Sequence, residues 1–358
     1  MQLGLFMMPM HPPEKDRTVC FEEDLALIVH ADELGYTEAW IGQHHSVAWE
    51  SIPSNDLFIA NALPRTKQIR FGTGVTLVPF HHPANMAVRL ALLDHLARGR
   101  FYCGFGQSGI ATDLSLFDLP TDAKTLGLMT VEGIDMVLKL WTTDPPFDFQ
   151  GDFWRIRISQ TDPAIGKGVM LKPYQKPHPP VAMSIMKGAS MAARMAGQRG
   201  YMPLSTNLVH PSTLAQHWQV YCAGAAEAGQ PAPDRAIWRI ARNIFVGRTT
   251  AEALDHALSG TFARSFDYLI KLIGPARLDI LKEDPDMPNA MVTPEYCVKR
   301  LAIVGDVDEC LRRLHELWAQ TGGFGTLLMI THDWDDEAMW RRSMALLIEE
   351  VAPAMPSV

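Results

Sequence analysis

The sequence predicts an α/β fold, a (β/α)8 TIM barrel, on three observations. Short apolar runs alternate with stretches of helical periodicity, the connections between them are only a few residues long, and the strand count reaches eight. Short strand-to-helix connections are those of right-handed parallel β-α units. The 358 residues suit one barrel domain over 1–358, with two interruptions.

Gln2 to Met8 is the first strand, an apolar run ended by Pro9, Pro12 and Pro13. Phe21, Leu25, Ile28 and Val29 then fall at helical spacing, with Gly35 as the stop. Glu38 to Gln43 is strand two, and a helical stretch begins near Asp56. Residues 69–79, IRFGTGVTLVP, are rich in β-branched side chains and form strand three. Met86, Leu90, Leu93 and Ala97 lay one helical face on the sheet, Gly99 ends that helix, and residues 100–106 form strand four. A helix follows at about 125–142. Residues 144–180, dense in proline and aromatics, cannot be a barrel element and read as a surface excursion with room for a hairpin. Strands five to eight are VAMSIM (181–186), YMPLST (201–206), AIWRIARNIFVG (236–247) and TLLMI (326–330). Before the eighth, residues 275–296 are charged, proline-broken and poor in large apolar groups, the composition of a mobile lid.

A net charge of -8 and a pI near 5.9 leave no footprint for nucleic acid or an anionic membrane. Five scattered cysteines without a Cys-x-x-Cys pair suggest neither a disulfide framework nor a zinc knuckle. The start, MQLGLFMMPMH, lacks the basic region and cleavage site of a signal peptide, and no apolar run reaches about 18 residues. A cytoplasmic enzyme is expected.

In such a barrel the chemistry gathers at the carboxyl ends of the strands. Those ends carry Met7 and Met8, then Gln43, His44 and His45, then Thr73, Gly74 and Val75. Gly106, Gln107, Ser108 and Gly109 follow, with Asp113 just beyond, and then Met186, Lys187, Gly188, Ala189 and Ser190. Many are small or apolar and few are metal ligands, which suits a flat apolar ligand with a few polar anchors. Lys187 to Ser190 stand where a strand becomes a helix, a place for a phosphate, though helix capping alone accounts for the same residues. Adjacent histidines in an extended strand point to opposite faces, so at most one of His44 and His45 points inward, and a purely structural pair is the competing explanation. His81 and His82 revive the idea of a metal, but Glu50 and Asp94 lack tight ligand spacing, and no metal is expected.

Seven stretches in order, FMMPMHPP, IGQHH, FGTGVTLVPFHHPA, LLDHLARGRFYCGFGQSG, EGIDMVLKLW, PYQKPHPPVAMS and VGDVDECLRRLHELWAQTGGFGTLLMI, resemble the bacterial luciferase-like flavin-dependent monooxygenases. Within them the likeness is greatest to limonene and diketocamphane monooxygenase-type members. The resemblance implies a barrel that takes reduced FMN from a separate flavin reductase and inserts one oxygen atom from O2 into a small apolar substrate, a cyclic terpene or ketone. It implies His44 as the catalytic residue, a bulge at Gly74–Val75 where the family can place a cis peptide behind the flavin ring, and a phosphate site on Gln107 and on Lys187, Gly188, Ala189 and Ser190. Gln43 and Met186 complete the implied cofactor contacts, and a homodimer paired through helices near strands two and three is implied. The chain departs from luciferase at Gln43, where that family has an acid, at Gly106, where it has a reactive cysteine, and at Gln107, where it has a phosphate-binding arginine. Phosphate binding must then lean on Lys187 and backbone donors, and light emission is not implied. Epoxidation or hydroxylation and Baeyer–Villiger insertion both remain open, as do a deazaflavin-dependent oxidoreductase of the same superfamily and a non-catalytic flavin-binding protein.

Overall fold

The computed structural model describes residues 1–284 and 286–358. Eight parallel strands close a ring. They are β1 (Gln2–Met10), β2 (Glu38–Ile41), β3 (Arg70–Thr73), β4 (Phe101–Gly106), β5 (Val181–Ile185), β6 (Met202–Ser205), β7 (Arg239–Arg242) and β8 (Thr326–His332). Each pairs with the next, and β8 returns to β1 with Gln2 opposite Thr326 and Phe6 opposite Ile330. The main outer helices are α1 (Arg17–Leu34), α2 (Asn55–Ala62), α3 (Pro83–Ala97), α4 (Ala123–Thr142), α5 (Met191–Arg199), α6 (Pro211–Glu227), α7 (Val307–Thr321) and α8 (Glu337–Leu346). Short polar side chains start them: Asp16, Ser190, Asp306 and Asp336 each accept a first-turn N–H.

Inside the ring Phe6, Trp40, Ala182, Leu204, Ala241, Leu328 and Ile330 form one apolar plug. Trp40 fits because Gly72 has no side chain: a Cβ there would lie 2.3 Å from the indole. Below the plug Arg239 donates to Glu38 at 3.1 and 3.2 Å, so the buried cation is neutralised by a bidentate partner.

Five strands differ from the sequence expectation, three of them in architecture and two in length. β2 stops at Ile41, so Gln43, His44 and His45 lie in the loop beyond it. β3 stops at Thr73, the Gly74–Val75 peptide is cis, and pairing resumes at Thr76–Leu77. The run expected as strand seven is two strands. β7 ends at Arg242, Asn243 is buried against Asn207 and His332, and Ile244–Val246 pairs outside the ring with Ile303–Gly305. The physical reason is that a polar Asn243 finds hydrogen-bond partners at the rim, while the apolar triplet after it needs a second sheet. Both β1 and β8 run longer than their apolar cores, to Met10 and His332.

Within 144–180, Phe147–Gln150 pairs antiparallel with Arg155–Ile158. The hairpin turn is fastened to α4, where the Glu132 carboxylate accepts the N–H groups of Asp152, Phe153 and Trp154 at 2.8 to 3.0 Å. Of 275–296, Pro285 lies outside the described residues. The remainder includes turns at Pro275–Leu281 and Asn289–Met291, and Leu278, Leu281 and Val292 are buried. Among the described residues no helix is long and apolar enough to cross a membrane.

Candidate active site

The β2 exit places His44 between two carboxylates. Its Nδ1 lies 3.1 Å from Asp113 Oδ2 and its Nε2 lies 3.4 Å from Glu50 Oε2. Burial works against the imidazolium, but the Glu50 charge and the Asp113 hydrogen bond outweigh it, so the His44 pKa is raised. The side chain keeps 21 % exposure, enough to meet a bound molecule. Asp113 sits in the short helix Ala111–Leu116 beyond β4 and also accepts from the His45 N–H at 3.1 Å and from Ser46 Oγ at 2.5 Å. Burial raises the Asp113 pKa, yet these donors hold its carboxyl down at about 2. Glu50 in turn accepts from Tyr268 Oη at 2.7 Å, and burial pushes that phenol's pKa up so that it stays a donor.

The neighbouring residues are turned elsewhere. His45 stacks on Phe80 and meets Phe117, with ring centroids 5.2 and 4.8 Å away. Gln43 is buried, with its amide beside His45 Nε2 at 3.3 Å and His81 Nε2 at 3.5 Å, and it donates to Pro53 O at 3.1 Å. Burial depresses both histidine pKa values, His81 to about 4, so both rings accept as neutral imidazoles. Gln43 is thus spent on protein partners and shapes the loop rather than presenting its amide to a ligand. The four histidines do not converge: His82 Nδ1 accepts the Ala84 N–H at the start of α3. Among the described residues the one cluster with metal-ligand spacing is His11, Glu23 and Asp333. There the Lys15 ammonium already bridges Glu23 and Asp333 at 2.5 and 2.7 Å.

The β4 and β5 exits form the cationic side. Lys187, Ala189 and Gln107 are exposed, and Met186, Gly188 and Ser190 are half-buried. Ser190 Oγ accepts the Ala192 N–H, so Ser190 caps α5 and points its first N–H groups at the rim. Gly188 lies close to Gln216, whose Oε1 would have to move for a Cβ there. A residue that sequence reasoning missed joins them: Arg277, from the 275–296 segment, lies against Gly109 and donates to Met186 Sδ at 3.6 Å. The rim therefore regains a guanidinium where Gln107 lacks one, but supplies it from a loop.

At the β6 to β8 exits a buried polar chain runs through Asn207, Asn243, His332 and Ser265, with links of 2.8, 3.0 and 3.3 Å. Burial depresses His332 to about 3, so the chain is neutral. Only the long-range fold assembles it: Asn207 follows β6, Asn243 and Ser265 lie between β7 and β8, and His332 ends β8.

A parallel barrel whose rim carries a carboxylate-held histidine with a raised pKa at the β2 exit and basic side chains at the β4 and β5 exits defines a class, and comparison with known proteins names it. The model of the family described as luciferase-like monooxygenase matches residues 1–324, so the chain belongs to that family, as a flavin-dependent monooxygenase. It is 35 % identical to 4-hydroxyprotoasukamycin monooxygenase of Streptomyces nodosus subsp. asukaensis, over 98 % of this chain and 91 % of that one. It is 29 % identical to limonene 1,2-monooxygenase of Rhodococcus erythropolis, over 98 % of this chain and 85 % of that one. Among solved structures, the oxygenating constituent of 3,6-diketocamphane monooxygenase from Pseudomonas putida, a type II Baeyer–Villiger monooxygenase in complex with FMN, superposes with a TM-score of 0.92. The two are 29 % identical, over 100 % of this chain and 99 % of that one.

Proposed function

We propose that this chain is the oxygenase component of a two-component system. It takes reduced FMN from a separate flavin reductase and, with O2, transfers one oxygen atom to a small apolar substrate such as a cyclic terpene or ketone, by epoxidation or hydroxylation or by Baeyer–Villiger insertion. The observation that carries this reading is His44, an imidazole with a raised pKa held by Asp113 and Glu50 at the rim of a barrel whose β4 and β5 exits carry Lys187 and Arg277.

The donor set fits FMN. Lys187, Arg277 and the α5 N-terminus suit its phosphate, and Gly74, Val75 and the half-buried Met8 offer a small, apolar surface to its rings. When bound, reduced FMN supplies the electrons that activate oxygen. His44 holds a proton on a ring nitrogen and donates it within the site, Asp113 orients the ring through Nδ1, and Glu50, steadied by Tyr268, faces Nε2. Met8, Val75 and Ile110 keep water from the reacting atoms, with the 275–296 segment as the proposed lid.

The reductase partner is supported by the description of the diketocamphane relative as an oxygenating constituent. A homodimer is supported by exposed leucines on α2 and α3: Leu57, Leu92 and Leu96 are 71, 51 and 57 % exposed. A cytoplasmic location agrees with both partners.

The test is turnover with photoreduced FMN, O2 and a panel of cyclic monoterpenes and bicyclic ketones, read by mass spectrometry with 18O2. One labelled oxygen in a product is expected. Absence of labelled product, or hydride transfer with a reduced deazaflavin in its place, contradicts the reading.

A further inference from the structure

The flank of the barrel outside β7 holds a charge without a counter-charge. Side chains alternate along β7, and Ala241 belongs to the interior plug, so Arg242 points outward beneath the helices. It is only 1 % exposed. Its Nη1 donates to Ala241 O at 3.1 Å and reaches Thr206 O at 3.5 Å, whereas Nε and Nη2 have no partner and the residue makes no ion pair among the described residues. Burial lowers its pKa to about 9, which leaves it cationic at neutral pH. A buried guanidinium is ordinarily met by a carboxylate, because leaving it unpaired forfeits its hydration.

Arg242 lines a pocket of about 370 Å³, large enough for an oxyanion with its first waters. The charged groups on its wall are mainly basic, Lys299, Arg300, Arg312 and Arg313 beside Arg242, with Glu283 and Glu316 as the acidic ones. Arg313 is engaged with Glu309 and Lys299 with Glu295, while Arg300 is exposed and has no partner among the described residues. A deep, unpaired arginine and a free one on the same pocket are complementary to a doubly charged anion.

We infer that this pocket is a second binding site, separate from the barrel rim, for a small phosphate-type oxyanion held by Arg242 and Arg300. Inorganic phosphate and a phosphate monoester share that chemistry. The site stands on the outer face of β7, whereas Asn243, one residue on, belongs to the polar chain at the rim.

The experiment is a titration of the full chain with inorganic phosphate, and separately with adenosine monophosphate, at constant ionic strength, read by calorimetry and by thermal unfolding. Saturable binding is expected in the wild type and in Lys187→Ala, with affinity falling at least tenfold in Arg242→Met and in Arg300→Ala. Whichever probe binds more tightly identifies the form of the ligand, and either supports the site. Arg300 is on the surface, so Arg300→Ala carries the test if Arg242→Met does not fold. Binding equally tight in the Arg242 and Arg300 variants, binding lost only in Lys187→Ala, or no saturable binding overturns the inference.

Discussion

His44 Nδ1 lies 3.1 Å from the Asp113 carboxylate, and the two residues are 69 positions apart in the chain. A buried carboxylate at this distance favours the imidazolium and fixes which nitrogen faces it. Replacing Asp113 with Asn removes the charge and keeps the shape. The His44 pKa then falls, and the alkaline limb of the pH–rate profile, where the imidazolium is lost, moves to lower pH. An unmoved limb in Asp113→Asn means that His44 does not set that profile.

Lys187 and Arg277 come from different segments and meet at the β4 and β5 exits. If both serve the flavin phosphate, Lys187→Ala and Arg277→Ala each weaken FMN binding about tenfold, roughly 1.4 kcal/mol, as expected for one charge-assisted contact. Equilibrium titration of flavin fluorescence measures this, and native affinity in both variants removes them from the phosphate site.

His11 joins three parts of the barrel end, with Nδ1 2.6 Å from Asp333 beyond β8 and Nε2 3.1 Å from Asp24 on α1. Burial opposes its charge, but the two carboxylates outweigh it and raise its pKa from 6.5 to about 9. Because the folded value is raised, the stabilisation is fully present below about pH 6.5 and lost as pH climbs through about 9. Its ceiling is ~3 kcal/mol from the size of the shift. Denaturant unfolding at pH 6 and pH 9.5 should show a loss in the wild type that His11→Gln does not share. Parallel losses in both proteins contradict the network's role.

Leu92 and Leu96 lie one turn apart on the exposed side of α3. If they meet a second copy, Leu92→Glu converts a dimer to a monomer by sedimentation while the far-ultraviolet dichroism is unchanged. A monomeric wild type at micromolar concentration refutes the pairing.

The eight strands were legible because buried parallel strands are written as short continuous apolar runs closed by proline or glycine. The split after Arg242 was not, since Asn243 interrupts an apolar run only for a reason that lies in other strands: Asn207 and His332. His44 is visible in the sequence as part of a doublet at a strand exit. Its partners are not: Glu50 stands further along the same irregular loop, while Asp113, and Tyr268 behind Glu50, are brought in by the closure of the ring and leave no local period. Arg277 hides for a different reason: it stands in a loop segment, where no periodicity assigns a facing direction.

The central claim is that His44 serves the chemistry and not the binding of flavin. Product formation and FMN affinity in His44→Ala test it together. The account predicts turnover lower by about two orders of magnitude with flavin affinity essentially retained. Wild-type turnover in that variant would contradict it.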